Sequence, residues 1–395
     1  MNILFVSALL PFPLHSGGQV RIYNLLKKLT SKHEVTLFTF LRNDSERTYF
    51  SELAFCKKIE TVYRGRAWQP RYIAHSLLST YPLLFATYAH EGLKERITEE
   101  LRSNRYDLVH IEPGYVWPSL PPLSVPLVVT EHNIEYLGYK GYVERFPIVP
   151  LRPFLAIDVA KLAWWERRVW NQANRIVTVS SEDKEIISQT IPPDRVHVVP
   201  NGVDLSEFRY RPKKVTSENP VFLFVGNFSW LQNRDAVKFL IGDIWPVIKR
   251  QYPGAQLRIV GKRAPNDLRE KIQKSNALLL DGVENITDQY SNADILIAPI
   301  RIGSGSRYKI LEAMGSGLPV VTTSVGAAGL GVEDRKVVML AETTEQFLYA
   351  VGELTSDQKL RDTVTKAARK LIEKSFSWET IARELERVWE ETCKK

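Results

Sequence analysis

No run in this sequence approaches the ~20 consecutive apolar residues that a membrane-spanning helix needs, so a helical membrane bundle is excluded. Cysteine is nearly missing. Cys56 and Cys393 are the only two in 395 residues, too few and too far apart for a metal cluster. One such pair is weak support for a disulfide and points to a reducing compartment. Residues 1–10 are apolar but lack a basic leader and are stopped by Pro11 and Pro13, so they read as a first strand rather than a signal peptide. No Asp-x-Asp pair occurs, and no basic tail. The net charge of +8 is spread along the chain without any nucleic-acid module pattern. An excess of that kind fits an anionic substrate or an anionic membrane surface, and no nucleic acid is expected. The expected location is cytoplasmic, with a peripheral position on the inner face of a membrane left open.

What is present is enough for two cores. At 395 residues the chain exceeds one ordinary domain, and 44% hydrophobic with 25% charged residues is the composition of a globular protein. Short β-branched and aromatic runs at 2–7, 35–40, 107–112, 126–130, 175–180 and 195–200 alternate with helical periodicity, and a second such series begins at 221–225. Two series of alternating strands and helices imply an α/β protein with two doubly wound parallel sheets. The polar segment 210–220, with prolines near both ends, reads as the linker.

Several loops stand where a parallel sheet presents ligands. Ser16-Gly17-Gly18 precedes a helix carrying Arg21; the glycines allow close approach of a ligand, although a simple helix cap reads equally well. Glu131-His132-Asn133 closes the strand at 126–130, where a histidine can donate to or accept from a reacting oxygen near neutral pH. Residues 66–101 are helical and rich in aromatics interleaved with Arg and Lys; they read as core, or alternatively as a surface resting on a membrane.

The most informative stretch is 301–321. An apolar strand ending at Pro299 is followed by Gly303-Ser304-Gly305-Ser306, then a helix holding Arg307, Lys309 and Glu312, then Gly315, Gly317 and Val320-Val321. A glycine loop opening a helix after a parallel strand presents free N–H groups and a positive dipole end to an anion. Cations in the first turn are disfavoured by that dipole unless an anion sits there, most simply a diphosphate. Glu312 follows about one and a half turns on, within reach of a hydroxyl pair. Diphosphate plus diol suggests a nucleotide. The Gly-x-Gly spacing is neither a dinucleotide fingerprint, because Tyr308 holds the third glycine position, nor a P-loop.

This segment resembles the signature of the family 4 (group 1) retaining glycosyltransferases, which ends in Leu-Glu-Ala-Met and Gly-x-Pro-Val-Val. Many members carry Glu-x7-Glu there. Here Glu312 is the second Glu, and Ser304 stands at the first position. The chain is similar to a branch with a Gly-x-Gly-[Ser/Thr]-Arg-x-Lys loop, in which backbone amides stand in for that carboxylate. Pro200-Asn201-Gly202-Val203-Asp204 matches the usual crossing between halves. The resemblance implies the GT-B fold: an acceptor-binding domain at 1–205, a nucleotide-sugar domain at 206–375, and a closing helix at 376–395 packed back on the first domain, the two facing across a cleft.

It further implies metal-independent transfer of a sugar from a nucleotide-sugar to a hydroxyl acceptor, a saccharide or lipid-linked saccharide, with retention and without a cofactor. Polysaccharide assembly is the family-level setting. His132, Arg307, Lys309 and Glu312 would be the catalytic set. Gly17, Gly18, Asn201, Gly226, Asn227, Lys262, Val283, Ile286, Gly303, Ser304, Gly305 and Ser306 would bind the donor. Gly226-Asn227-Phe228 stands where the family often has an Arg and a Lys, so phosphate charge falls to Arg307, Lys309 and Lys262. Val283 to Ile286 would pack on the base, and Asn133 and Glu135 would contact acceptor or sugar. A GT-B phosphorylase or epimerase, or a non-catalytic nucleotide-sugar binder, would use the same residues.

Overall fold

The short apolar runs become thirteen parallel strands, among the described residues, in two sheets. The structure, a computed structural model, describes residues 1–66, 69–144, 146–213, 219–283, 285–302 and 308–394. The chain forms two units, Met1–Pro200 with Ile381–Lys395, and Asn201–Thr380.

Unit 1 holds a seven-stranded sheet in the order β3-β2-β1-β4-β5-β6-β7. Its strands are β1 Asn2–Ser7, β2 Glu34–Leu41, β3 Lys58–Tyr63, β4 Leu108–Glu112, β5 Leu127–Glu131, β6 Arg175–Thr178 and β7 Val196–Val198. β4 and β5 are buried at every residue, which is why they show no alternation of apolar and polar residues; His110, Glu112, Thr130 and Glu131 are buried with the rest. Strand order reverses between β1 and β4, whose carboxyl ends lie level, Ser7 beside Glu112. In open parallel sheets the crevice at such a reversal is where ligands bind.

Unit 2 repeats the plan with six strands in the order β10-β9-β8-β11-β12-β13. They are β8 Val221–Val225, β9 Gln256–Val260, β10 Leu278–Leu280, β11 Ile295–Ala298, β12 Val320–Thr322 and β13 Met339–Leu340. Its reversal lies between β8 and β11. The helix Tyr308–Ser316 follows β11 and so begins at that crevice.

Against the expected divisions at 205/206 and 375/376, the units divide at Pro200/Asn201 and Thr380/Ile381. Both shifts have one cause. The Val203 N–H donates to the Phe376 carbonyl at 2.8 Å, and Val203 bridges Ser377, so residues just after 200 and just before 381 are zipped together inside unit 2. The segment expected as a linker starts after the chain has docked: Phe208 is buried in the unit 2 core and the Arg211 N–H donates to the Ser316 carbonyl. Residues 214–218 lie outside the described residues.

The aromatic stretch 66–101 resolves into the helices Pro70–Leu78, Leu83–Tyr88 and Glu91–Ser103. Tyr72, Phe85 and Tyr88 are buried and Tyr81 lies against Trp165, so these four aromatics are core, whereas Ile73, Leu77 and Leu78 of the first helix are exposed; Trp68 lies outside the described residues.

The last helix, Trp378–Cys393, passes its residues from Ile381 onward to unit 1. Trp389 is wholly buried there, and its Nε1–H donates to His110 Nδ1 at 2.9 Å. Replacing Trp389 by Ala removes a large buried side chain and leaves that nitrogen without its donor. The expected cost is about 3–5 kcal/mol, read as a lowered urea midpoint.

Candidate active site

At the unit 1 reversal, charge is gathered where the sheet edge is otherwise apolar. Ser16 caps the helix Gly17–Leu29 by accepting from the Gln19 N–H, so the chain enters that helix with Gly17 and Gly18 at its tip and Arg21 one turn in. Arg21 is buried. Its Nε–H donates to Glu112 Oε1 at 2.8 Å and an Nη1–H to the Pro200 carbonyl at 2.8 Å. Glu112, the last residue of β4, also accepts from His132 Nε2 at 2.6 Å. Burial alone would raise the Glu112 carboxyl, but Arg21 and His132 beside it hold it down at about 2.

A carboxylate only accepts, so the Nε2 of His132 carries the proton. Glu112 thereby fixes both tautomer and ring plane. The Nδ1 edge turns to the helix tip: a Cβ built on Gly18 would stand 3.0 Å from His132 Cε1 and 3.2 Å from Nδ1. Any side chain at Gly18 would require the ring to give way by a few tenths of an ångström. The His132 side chain remains 19% exposed, enough for one edge to meet a ligand hydroxyl.

Behind this trio His110 is neutral. It accepts the Trp389 N–H at Nδ1, so Nε2 carries its proton and donates to Thr130 Oγ1 at 2.8 Å. Burial pushes it down to about 4. The turn after His132 is held by Glu166, which accepts from the Glu135 and Tyr136 N–H groups at 2.8 and 2.9 Å. Burial lifts Glu135 to about 7 and Glu131 to about 8, the latter against hydrogen bonds from Trp170 and Gly114. A half-buried carboxyl near neutrality three residues past His132 can donate to a sugar hydroxyl as well as accept from one.

Unit 2 gathers its polar groups at its own reversal. Lys309, in the first turn of Tyr308–Ser316, is 9% exposed. Its Nζ donates to Asn233 Oδ1 at 2.6 Å and lies 4.5 Å from the Phe224 ring centroid. Asn233 in turn donates to the Asn227 carbonyl at 2.8 Å. The loop after β8 accepts this side chain because Gly226 has none; a Cβ there would come within 2.9 Å of Asn233 Cγ. Glu312, one turn beyond Lys309 and half-buried, accepts from the Tyr290 hydroxyl at 2.6 Å. Burial raises Glu312 to about 7 against that hydrogen bond and the Lys309 charge.

Of the residues expected from sequence, Gly18 and His132 come together in unit 1, and Gly226, Asn227 and Lys309 in unit 2. Glu312 shares a helix with Lys309. Gly17 opens its helix, and Asn201 is the first residue of unit 2. Lys262 meets the β8 loop through its backbone, its carbonyl accepting from the Phe228 N–H at 3.0 Å, while its side chain is exposed. Val283 and Ile286 are half-buried against the core next to the helix Ile286–Ser291. Gly303, Ser304, Gly305, Ser306 and Arg307 lie outside the described residues.

Three participants escaped the sequence reading. Glu112 had a signal, an acid closing an apolar strand beside Pro113. Asn233 and Tyr290 had none, since an Asn and a Tyr on ordinary helices carry no local mark of what they face. Among the described residues no group of three or more His, Cys, Asp or Glu could hold a metal ion.

The chain is similar to known proteins in sequence and in fold. Residues 15–207 match the family model described as Glycosyltransferase Family 4, and residues 219–357 the one described as Glycosyl transferases group 1. An Escherichia coli UDP-Gal:alpha-D-GlcNAc-diphosphoundecaprenol alpha-1,3-galactosyltransferase is 24% identical over 305 residues, 70% of this chain and 73% of that protein. In fold, the chain is similar to sucrose-phosphate synthase from Thermosynechococcus elongatus, with a TM-score of 0.75 at 17% identity and 99% of each chain covered. It is also similar to Anabaena HepE, solved with UDP and glucose, with a TM-score of 0.65 at 16% identity and 99% of each chain covered.

Proposed function

Because this chain belongs to the group 1 glycosyltransferases, its two doubly wound sheets being those of the GT-B fold, we propose that it moves a sugar from a nucleotide-diphosphate donor to a hydroxyl of a saccharide or lipid-linked saccharide, with retention. Peripheral contact with an anionic membrane is part of the proposal, since a lipid-linked acceptor is met only at a bilayer. The Escherichia coli relative, named for a diphosphoundecaprenol-linked substrate, supports a lipid-linked acceptor, and the UDP in HepE supports a nucleotide-diphosphate donor.

The observation that carries the reading is the buried Lys309, held by Asn233 against the Gly226 loop at the sheet reversal of unit 2. A cation in the first turn of the helix that follows β11, beside the glycine loop after β8, is placed to meet a diphosphate. Lys309, with Arg307 and the amides of 303–306, would take up the charge of the leaving diphosphate, and Lys262 would add to it. Glu312 would hold the ribose diol, and Val283 and Ile286 the base. In unit 1 His132, fixed by Glu112, would orient a sugar hydroxyl, and the Gly17-Gly18 tip would let the donor approach. In the reaction the anomeric carbon–phosphate oxygen bond breaks and the acceptor oxygen bonds to the same face. The acceptor proton passes to the departing phosphate oxygen, so no protein carboxylate need form a covalent intermediate. Metal-independence is part of the same proposal, because these cations and amides are enough to receive the charge.

A thermal-shift panel of UDP-, GDP-, dTDP- and ADP-sugars tests the donor half. One nucleotide family is expected to raise the melting temperature, by about 2.7 kcal/mol of linkage at a hundredfold excess over Kd, and the Arg307→Ala/Lys309→Ala protein to lose that rise. No rise with any donor would count against the reading. Phosphorolysis, or free UDP with an epimerised sugar and no acceptor, would point to the phosphorylase or epimerase chemistry instead. Donor binding without any release of nucleoside diphosphate would leave a binding protein.

A further inference from the structure

We propose that the helix Arg152–Gln172 and its neighbour Pro70–Leu78 in unit 1 form a docking face for an anionic lipid bilayer. The inference rests on the peripheral-membrane part of the reading above and gives it a location. Large apolar side chains exposed singly are normal, whereas a concentration of them marks a contact surface. Of the eighteen large hydrophobic residues exposed among the described residues, twelve fall within 73–78 and 137–164. Leu77 and Leu78 are 77% and 88% exposed, and Phe154 is 70% exposed.

The helix buries Leu162, Trp165, Val169 and Trp170 and yet carries further hydrophobes outward. Asp158 faces inward, accepting from Ser76 Oγ at 3.2 Å and from the Leu83 N–H at 2.9 Å. Lys161 faces inward too, donating to the Ser76 and Ser79 carbonyls at 2.7 and 2.9 Å. These bonds clamp the two helices together. Phe154, Ile157 and Trp164 meanwhile face water, with Arg168 on the same stripe at helical spacing. A surface helix that presents an apolar stripe to water besides the one it buries suits an apolar partner.

Charge decides which partner. Both acids of this helix are occupied within the protein, Asp158 as above and Glu166 on the Glu135 and Tyr136 amides. Arg167 and Arg168 are exposed, and the Arg168 guanidinium lies 5.3 Å from the Trp164 ring centroid. The face is thus an apolar field running into a Trp–Arg edge, basic on the helix Arg152–Gln172, with Glu144 an exposed acid on the adjoining helix. A Trp seated at headgroup level, hydrophobes in the acyl boundary and arginines on anionic headgroups is the pattern of an interfacial helix. Docking is shallow, since no described helix is long and apolar enough to cross a membrane.

The test is flotation with vesicles of phosphatidylglycerol and phosphatidylcholine against vesicles of phosphatidylcholine alone, without donor or acceptor, so that failure leaves the transfer reaction untouched. Wild-type protein is expected to float with the anionic vesicles, less at high salt, with a blue shift of tryptophan emission. Two paired variants, Phe154→Ser/Ile157→Ser and Arg167→Glu/Arg168→Glu, are expected to lower binding by about tenfold or more while melting like wild type. Wild-type flotation that neither pair reduces would overturn the assignment. So would no flotation, with light scattering showing a dimer that Phe154→Ser/Ile157→Ser dissociates; the face would then join copies of the chain.

Discussion

Lys309→Ala is expected to lower the turnover number by about 10²–10³-fold while the protein stays folded. The prediction follows from where the ammonium sits. It is 9% exposed, bonded to Asn233 and placed over the Phe224 ring, at the start of a helix whose dipole opposes a cation. Desolvation and the dipole both work against this charge in the free protein, and a departing diphosphate reverses both. Its negative charge grows as the bond to the anomeric carbon breaks, so the attraction is stronger in the transition state than with bound donor. Interactions of that kind lower kcat when removed, whereas uniform binding only raises KM. Release of nucleoside diphosphate, followed with donor at saturation, separates the two. A fall in kcat with KM little changed is expected. A change confined to KM would make Lys309 a binding group only, and near-normal turnover would remove it from the site. Melting within a few degrees of wild type would show that the loss is chemical, since truncating Lys309 leaves Asn233 bonded to the Asn227 carbonyl.

How much of this could be read from the chain depends on the range of the interactions. Strands were legible because a sheet covered on both faces favours short runs rich in apolar residues, and β8 at 221–225 and β9 at 256–260 stand where the sequence put them. His132 could be placed at the sheet edge because it stands just past β5, and Lys309 because it lies in the helix that follows β11. Their partners could not be placed. Glu112 lies 20 residues from His132 and 91 from Arg21, and Asn233 lies 76 from Lys309, separations at which no local spacing applies. The aromatic runs left two readings open for a related reason. Tyr72, Phe85 and Trp164 have similar neighbours in sequence, yet two are core and one is half in water, and only the packing of one helix on another decides which. The unit boundary was displaced for the same reason, by the long-range bond from Val203 to Phe376.

Glu112→Gln is expected to destabilise unit 1 by about 3–5 kcal/mol and to lower activity with it, although the side chain keeps its shape. Glu112 is completely buried, and so is Arg21. Gln can still accept from Arg21 Nε, but it removes the negative charge that offsets a guanidinium out of water, and its amide can present N–H rather than oxygen to His132. The pH dependence identifies the cause. Burial raises the Glu112 carboxyl, but Arg21 and His132 outweigh it and hold the folded value at about 2, below the ordinary 4.5. A depressed carboxyl stabilises fully above 4.5, and that contribution is lost as pH falls from 4.5 towards 2. His110, pushed by burial from 6.5 to about 4, adds to acid sensitivity, because between those values the unfolded chain takes up a proton that the folded one refuses. Glu131 and Glu135, raised to about 8 and 7, act in the opposite direction, their contribution fading as pH rises. The difference between wild type and Glu112→Gln cancels these groups to first order. Measured by urea unfolding, that difference should be constant above about pH 5 and shrink below it. A difference independent of pH down to 3 would mean that Glu112 acts through packing rather than charge. Adding Arg21→Met to Glu112→Gln is the decisive comparison. If the loss comes from an uncompensated buried cation, the double variant recovers much of the stability, while turnover stays low because His132 still lacks the carboxylate that fixes its proton and its ring.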